Sequence, residues 1–142
     1  DDALDEKTIW RERFRSIRHF EAHLHRNGTR IIKFFLHLSK KEQRKRFLAR
    51  LEEPDKNWKF NRRDLEERKY WNDYMKAYQA CLSATSTTDS PWYAVPADDK
   101  RNTRLIISQI ILDTLRGLKM EYPKLTQEQR NELQEIRKLL AK

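Results

Sequence analysis

The 142 residues allow one domain at most, and 31 Lys and Arg against 22 Asp and Glu leave a net charge of +9. Charge of that sign attracts polyanions such as nucleic acid, an anionic surface or phosphate-rich small molecules. A single cysteine excludes an internal disulfide, no apolar run reaches the length of a membrane span, and the opening "DDALDEKTIW" is neither a signal nor a transit peptide, so a cytoplasmic protein without membrane contact is expected.

Four Trp, five Tyr and six Phe argue for packing rather than disorder. The first predicted element is an amphipathic helix, because Trp10, Phe14, Ile17, Phe20 and Leu24 form one stripe. Thr8 is its expected N-cap and "RNG" (Arg26 to Gly28) its stop. Apolar residues then occupy both faces from Ile31 to Leu38, the pattern of a strand buried on both sides in a parallel sheet. Ser39 is placed to cap the next helix, with Glu42 completing a capping box, and Phe47, Leu48 and Leu51 point inward. Pro54 ends that helix.

Helix resumes near Arg62, with Trp71, Tyr74, Met75, Tyr78 and Leu82 as its inner stripe and Asp64–Arg68 and Asp73–Lys76 as local ion pairs. A polar loop, "SATSTTDSP", leads to a second strand from Trp92 to Ala97. The following helix has a dense apolar middle, Leu105 to Leu112, expected to be largely buried, and is broken by Pro123. A terminal helix capped by Thr126 carries Leu133, Ile136 and Leu140 on one side. Alternating helices and strands predict a layered α/β fold with a parallel sheet, although two strands do not make a stable sheet alone.

Chemistry is sparse along most of this order. His19 and His23 are spaced for one helix face, yet no third ligand accompanies them, so they read as solvated; His37 and Cys81 read as structural. With only Gly28 and Gly117, the chain has no glycine-rich loop to cradle phosphates through backbone N–H groups. The C-terminal end of the second strand, where α/β proteins bind ligands, carries Asp98, Asp99 and Lys100. One of the two aspartates is expected to cap the next helix, while Asp98 and Lys100 remain candidates for the edge of a site.

Positive charge clusters instead around "LEEPDKNWKF". Lys40, Lys41 and Lys45 read as solvated, and Arg46 and Arg50 share a helix face. Lys56, Trp58, Lys59, Arg62 and Arg63 sit where a loop between two helices can close over a polyanion.

Three stretches carry a resemblance: "NGTRIIKFFLHLSKKEQRKRFLARLEEPDKNWKF", "LEERKYWNDYMKAYQACLSATST" and "PWYAVPADDKRNTR". From about Trp10 to Leu118 the chain resembles the second polyphosphate kinase family, the polyphosphate-dependent nucleotide phosphotransferases. The matching motifs are K-F-(F/W)-L-H-(I/L)-S, E-(D/E)-P-x-K-x-W-K and P-W-x-x-P-A-D-x-K. The resemblance implies a three-layer P-loop kinase fold similar to thymidylate kinases, helix-rich and with few parallel strands in this portion. It implies phosphoryl transfer between inorganic polyphosphate and a nucleoside mono- or diphosphate, with Mg²⁺, in a homo-oligomeric enzyme for which nucleic acid is an unlikely partner.

On the same basis, residues 53–63 or so correspond to a mobile lid. Lys56, Lys59, Arg62 and Arg63 would hold phosphates, Arg46 and Arg50 would assist from the helix leading in, and Trp58 would be the lid tryptophan. The family's phosphate loop, its lysine and its magnesium-binding aspartate belong to an N-terminal half that this sequence does not match. Residues 1–121 are therefore expected to be the C-terminal part of such a domain, 122–142 a helical extension, and the chain to be inactive alone. A non-catalytic basic module binding nucleic acid or polyphosphate is the alternative.

Overall fold

The computed structural model describes residues 5–141, which form two units, one running to Ile110 and the other from Ile111 on. The first helix, α1 (Glu6–Arg26), starts one turn earlier than expected, because Asp5 and not Thr8 is its cap. The Asp5 carboxylate accepts from the Thr8 backbone N–H at 2.8 Å and from its hydroxyl at 3.0 Å. The predicted stop holds: the Asn27 side-chain amide donates to the His23 carbonyl, and Gly28 takes the left-handed φ of +88° that releases the chain.

Strands β1 (Lys33–His37) and β2 (Trp92–Pro96) pair in parallel, with Lys33 opposite Trp92 and His37 opposite Pro96. Each is slightly shorter than its apolar run. Burial on both faces does not follow: Leu36 is 50% exposed, whereas Val95 beside it is 1% exposed. With two strands in the described sheet, only part of the apolar surface finds a cover.

A charged pair holds the start of β1. Lys33 Nζ donates to both Glu21 oxygens, at 2.8 and 2.7 Å, and to the Thr85 carbonyl at 2.8 Å. It also lies 5.3 Å from the centre of the Trp92 ring. Trp92 Nε1 in turn donates to the Thr85 hydroxyl at 2.8 Å. One lysine thus ties together α1, both strands and the end of the helix that contains Thr85.

Helix α2 (Lys40–Glu52) begins at Ser39, whose hydroxyl accepts from the Glu42 N–H at 3.0 Å. The return half of the expected capping box is not made by Glu42. The Ser39 N–H donates to Asp98 Oδ1 at 2.7 Å, and Glu42 instead accepts from Arg46 Nε at 3.0 Å. A carboxylate from beyond β2 thus replaces the local one.

The helix predicted from Arg62 onward is broken. It comprises α3 (Arg62–Glu67), a 3-10 turn at Arg68–Tyr70, and α4 (Trp71–Thr85). The Asp64–Arg68 pair is not formed, since Arg68 donates to Gln43 of α2 at 2.6 Å and the Asp64 carboxylate closes a capping box with Asn61. The Asp73–Lys76 pair is present at 4.0 Å between exposed groups. Phe35 of β1 stacks on Tyr78 of α4 with centroids 4.7 Å apart. The stripe Trp71, Tyr74, Met75 and Tyr78 does not close over a core; with Phe35 and Phe47 it lines an open cleft of about 320 Å³.

Asp99 caps α5 (Lys100–Gly117), accepting from the Arg101 and Asn102 N–H groups at 2.8 and 3.0 Å. The Thr103 hydroxyl, buried beneath, reaches the Pro96 and Asp99 carbonyls at 2.8 and 2.6 Å. The apolar middle of α5 is more open than its composition predicts, with Leu105 68% exposed. Helix α5 also stops six residues before Pro123, where Gly117 is followed by Lys119 with φ of +48°. Helix α6 (Gln127–Leu140) has the predicted Thr126 cap, and Gln129 completes its box. Among the described residues no helix is long and apolar enough to cross a membrane.

Candidate functional site

The interruption at Pro54 has a definite local structure. Glu53 closes α2 by donating its N–H to the Ala49 carbonyl at 3.1 Å, and a 3-10 turn then forms over Asn57–Lys59. Phe60 turns back and packs edge-on against Phe47 of α2, with centroids 5.6 Å apart, anchoring the loop to its stem. The Asn61 side chain accepts from the Arg63 N–H at 2.9 Å and starts α3.

With both ends fixed, the side chains between them face solvent. Trp58 Nε1 donates to the Asp55 carbonyl at 2.9 Å, which pins an indole that is 75% exposed. Burial therefore does not explain this tryptophan. Lys59 Nζ lies 5.0 Å from the Trp58 ring centre and makes no ion pair among the described residues. Arg62, exposed in the first turn of α3, also has no carboxylate partner there. Lys56 pairs with Glu53, whose carboxylate raises the ammonium pKa above its usual range. Arg63 Nε lies 3.7 Å from Glu67, an exposed pair that contributes little. Cations in the first turn of a helix oppose its dipole, so helix stability does not explain Arg62 and Arg63 either.

The two arginines of α2 are placed differently from each other. Arg50 lies over the Phe47 ring at 5.9 Å, beside the loop's anchor. Arg46 is turned toward the sheet: besides Glu42, it donates through Nη2 to the Ala97 carbonyl at 2.9 Å and the Asp98 carbonyl at 3.1 Å. Asp98 is held by the Ser39 N–H, a hydrogen bond to the ionised form that keeps its carboxyl below the usual carboxylate range, with Arg46 acting in the same direction. Lys100 is exposed at the start of α5. The structure thus gathers Arg50, Lys56, Trp58, Lys59, Arg62 and Arg63 around one loop, and Arg46 with Asp98 around the end of β2.

Other candidates from the sequence remain apart. His19 and His23 are exposed, Cys81 is half-buried, and among the described residues no three His, Cys, Asp or Glu side chains are grouped to hold a metal ion. Sequence reasoning missed the Lys33–Glu21 pair and the role of Asp98 at α2. A lysine inside an otherwise apolar strand was the available signal for the first.

The fold is a helix-rich, P-loop kinase-like α/β fold, with two parallel strands joined through a helical crossover in the described residues. More narrowly, the chain belongs to the polyphosphate kinase 2 family, whose sequence profile matches residues 2–123. It is 65% identical over 136 residues to an ADP-polyphosphate phosphotransferase of Rhodopseudomonas palustris, covering 96% of this chain and 47% of that protein. It is 49% identical over 132 residues to an uncharacterized protein in the chlN 3′ region of Leptolyngbya boryana, covering 93% of this chain and 97% of that one. The crystal structure of Polyphosphate Kinase 2 from Arthrobacter aurescens TC1 superposes with a TM-score of 0.80 at 42% identity, over 89% of this chain and 46% of that one. The chain spans about half the length of the Rhodopseudomonas and Arthrobacter proteins and nearly all of the Leptolyngbya one.

Proposed function

We propose that this chain supplies the phosphate-gripping lid of a polyphosphate-dependent phosphotransferase acting on a nucleoside mono- or diphosphate. The observation that carries the reading is the solvent-facing loop and the α3 turn after it, where Lys59 and Arg62 have no carboxylate partner among the described residues. Inorganic polyphosphate is a string of phosphate anions, and Lys56, Arg63 and Arg50 would add to its neutralisation as the loop closes. Phosphoryl transfer depends mainly on positioning and on neutralising charge over the phosphate oxygens, which cationic side chains can do without covalent chemistry. Closing a lid would also exclude water from the transferring phosphoryl group. Arg46, bonded to three acceptors, holds the stem instead of gripping phosphate in this reading.

The chain's two glycines do not make a glycine-rich phosphate loop, so that loop and its lysine would come from elsewhere. The test is a chimera that joins this chain to the portion of the Rhodopseudomonas protein that it does not match. Polyphosphate-dependent phosphorylation of ADP or AMP is expected, with loss on Lys59→Glu and Arg62→Glu. Full activity in both charge-reversed chimeras would refute the lid assignment.

A further inference from the structure

Between α2 and the turn after β2 run hydrogen bonds in both directions. From the turn, the Asp98 carboxylate accepts from the N–H of Ser39, the residue that precedes and caps α2, at 2.7 Å. From α2, Arg46 reaches back to the Ala97 and Asp98 carbonyls at 2.9 and 3.1 Å, while Glu42 holds its Nε at 3.0 Å. Ala97 is buried, and its N–H donates to the His37 carbonyl at 3.0 Å, so the turn is itself tied to the end of β1. Neither the Ser39 nor the Arg46 contact is needed to close a helix or a ladder. Both join the stem of the basic loop to the point where β2 ends and α5 begins.

We propose that Arg46 and Asp98 form a two-way latch that couples the basic loop to the β2–α5 turn, with Arg46 a positioning residue and not a phosphate ligand. Phe60 of the loop packs on Phe47 of α2, so a change in the loop's position is passed to α2. The latch passes that change to the carbonyls of Ala97 and Asp98, at the edge of the sheet where α/β folds hold their ligands. A guanidinium suits this role because its fork serves Glu42 and two carbonyls together; a lysine ammonium is a single point charge without that planar geometry. The coupling part of the proposal rests on polyphosphate binding at the loop.

Amide hydrogen exchange on the full chain, with and without inorganic polyphosphate, tests it. In the wild type, the Ser39 amide is protected, and polyphosphate slows exchange in residues 97–102. Arg46→Lys is expected to abolish that slowing and to speed Ser39 exchange by about tenfold, the scale of one charge-assisted hydrogen bond. Its affinity for polyphosphate should stay within about threefold of the wild type, since the phosphate-gripping cations are untouched. Asp98→Asn breaks the other half of the latch, should uncouple in the same way, and decides the matter if Arg46→Lys does not fold. In the double variant the effects should not add.

Slowing at 97–102 that survives in both variants overturns the latch. So does a tenfold loss of polyphosphate affinity in Arg46→Lys with Ser39 protection intact, which would make Arg46 a phosphate ligand. A wild-type chain that does not bind polyphosphate overturns the functional reading and its coupling, while Ser39 exchange in the unliganded variants still decides whether the latch exists.

Discussion

Lys59 and Arg62 differ from the other cations of the loop in what neutralises them. Lys56 is engaged by Glu53 and Arg63 lies near Glu67, whereas among the described residues Lys59 has the Trp58 ring but no carboxylate and Arg62 faces solvent. Lys59→Ala and Arg62→Ala should therefore each weaken polyphosphate binding by about tenfold, and Arg63→Ala by less, as read by titration. Asp98 makes a prediction about pH. Its folded carboxyl lies below the ordinary carboxylate range, so its contribution to stability is present above that range and fades as pH falls through the folded value. The stability difference between wild type and Asp98→Asn, measured by urea unfolding, should be largest near neutral pH and shrink toward pH 3 or so. A difference that grows on acidification would show that Ser39 does not stabilise the carboxylate.

Among the elements, most of those set by local chemistry were legible in the sequence, the α1 cap at Asp5 instead of Thr8 being an exception. Ser39, Pro54, Gly28 and Thr126 act where caps and breakers should, because their partners lie within a few residues. What depended on distant groups was not. Glu42 had the right spacing for a capping box, but Asp98, 59 residues away along the chain, took the Ser39 N–H. Arg68 had Asp64 four residues behind it and turned to Gln43 on another helix. The apolar middle of α5 signalled burial, yet apolarity states only that a surface favours cover, not that the described residues provide it. The basic loop was legible as a cluster of residues, but the separation of Arg46 from Arg50 required coordinates. Two element-level substitutions follow. Lys33→Met leaves Glu21 charged and nearly buried among groups that lost their donor, and should destabilise the first unit by about 3 kcal/mol or more in denaturant unfolding. Asn61→Ala removes the cap of α3 at a cost of about 1 kcal/mol and should speed exchange at the Arg63 amide.

At the scale of the whole molecule, the described residues bury few large apolar side chains: Val95 and Ala97 are the buried hydrophobic residues, and many Leu, Ile and aromatic side chains remain open. Two parallel strands and their crossover helices match somewhat less than half of the Arthrobacter structure. The physical consequence is a fold whose apolar surface would be better covered in the longer chimera, which should unfold at higher temperature than this chain alone. An unchanged melting temperature would argue that the exposed surface is not covered by that added half. Charge gives the most direct test. Inorganic polyphosphate should be titrated into the chain and into the Lys56→Ala/Lys59→Ala/Arg62→Ala/Arg63→Ala variant at two salt concentrations, with single-stranded nucleic acid as competitor at equal phosphate. Binding by the wild type, a loss of about a hundredfold or more in the variant, and polyphosphate retained against nucleic acid are the predicted results. Equal affinity in the two proteins, or displacement of polyphosphate by nucleic acid, would contradict the assignment of this loop to polyphosphate.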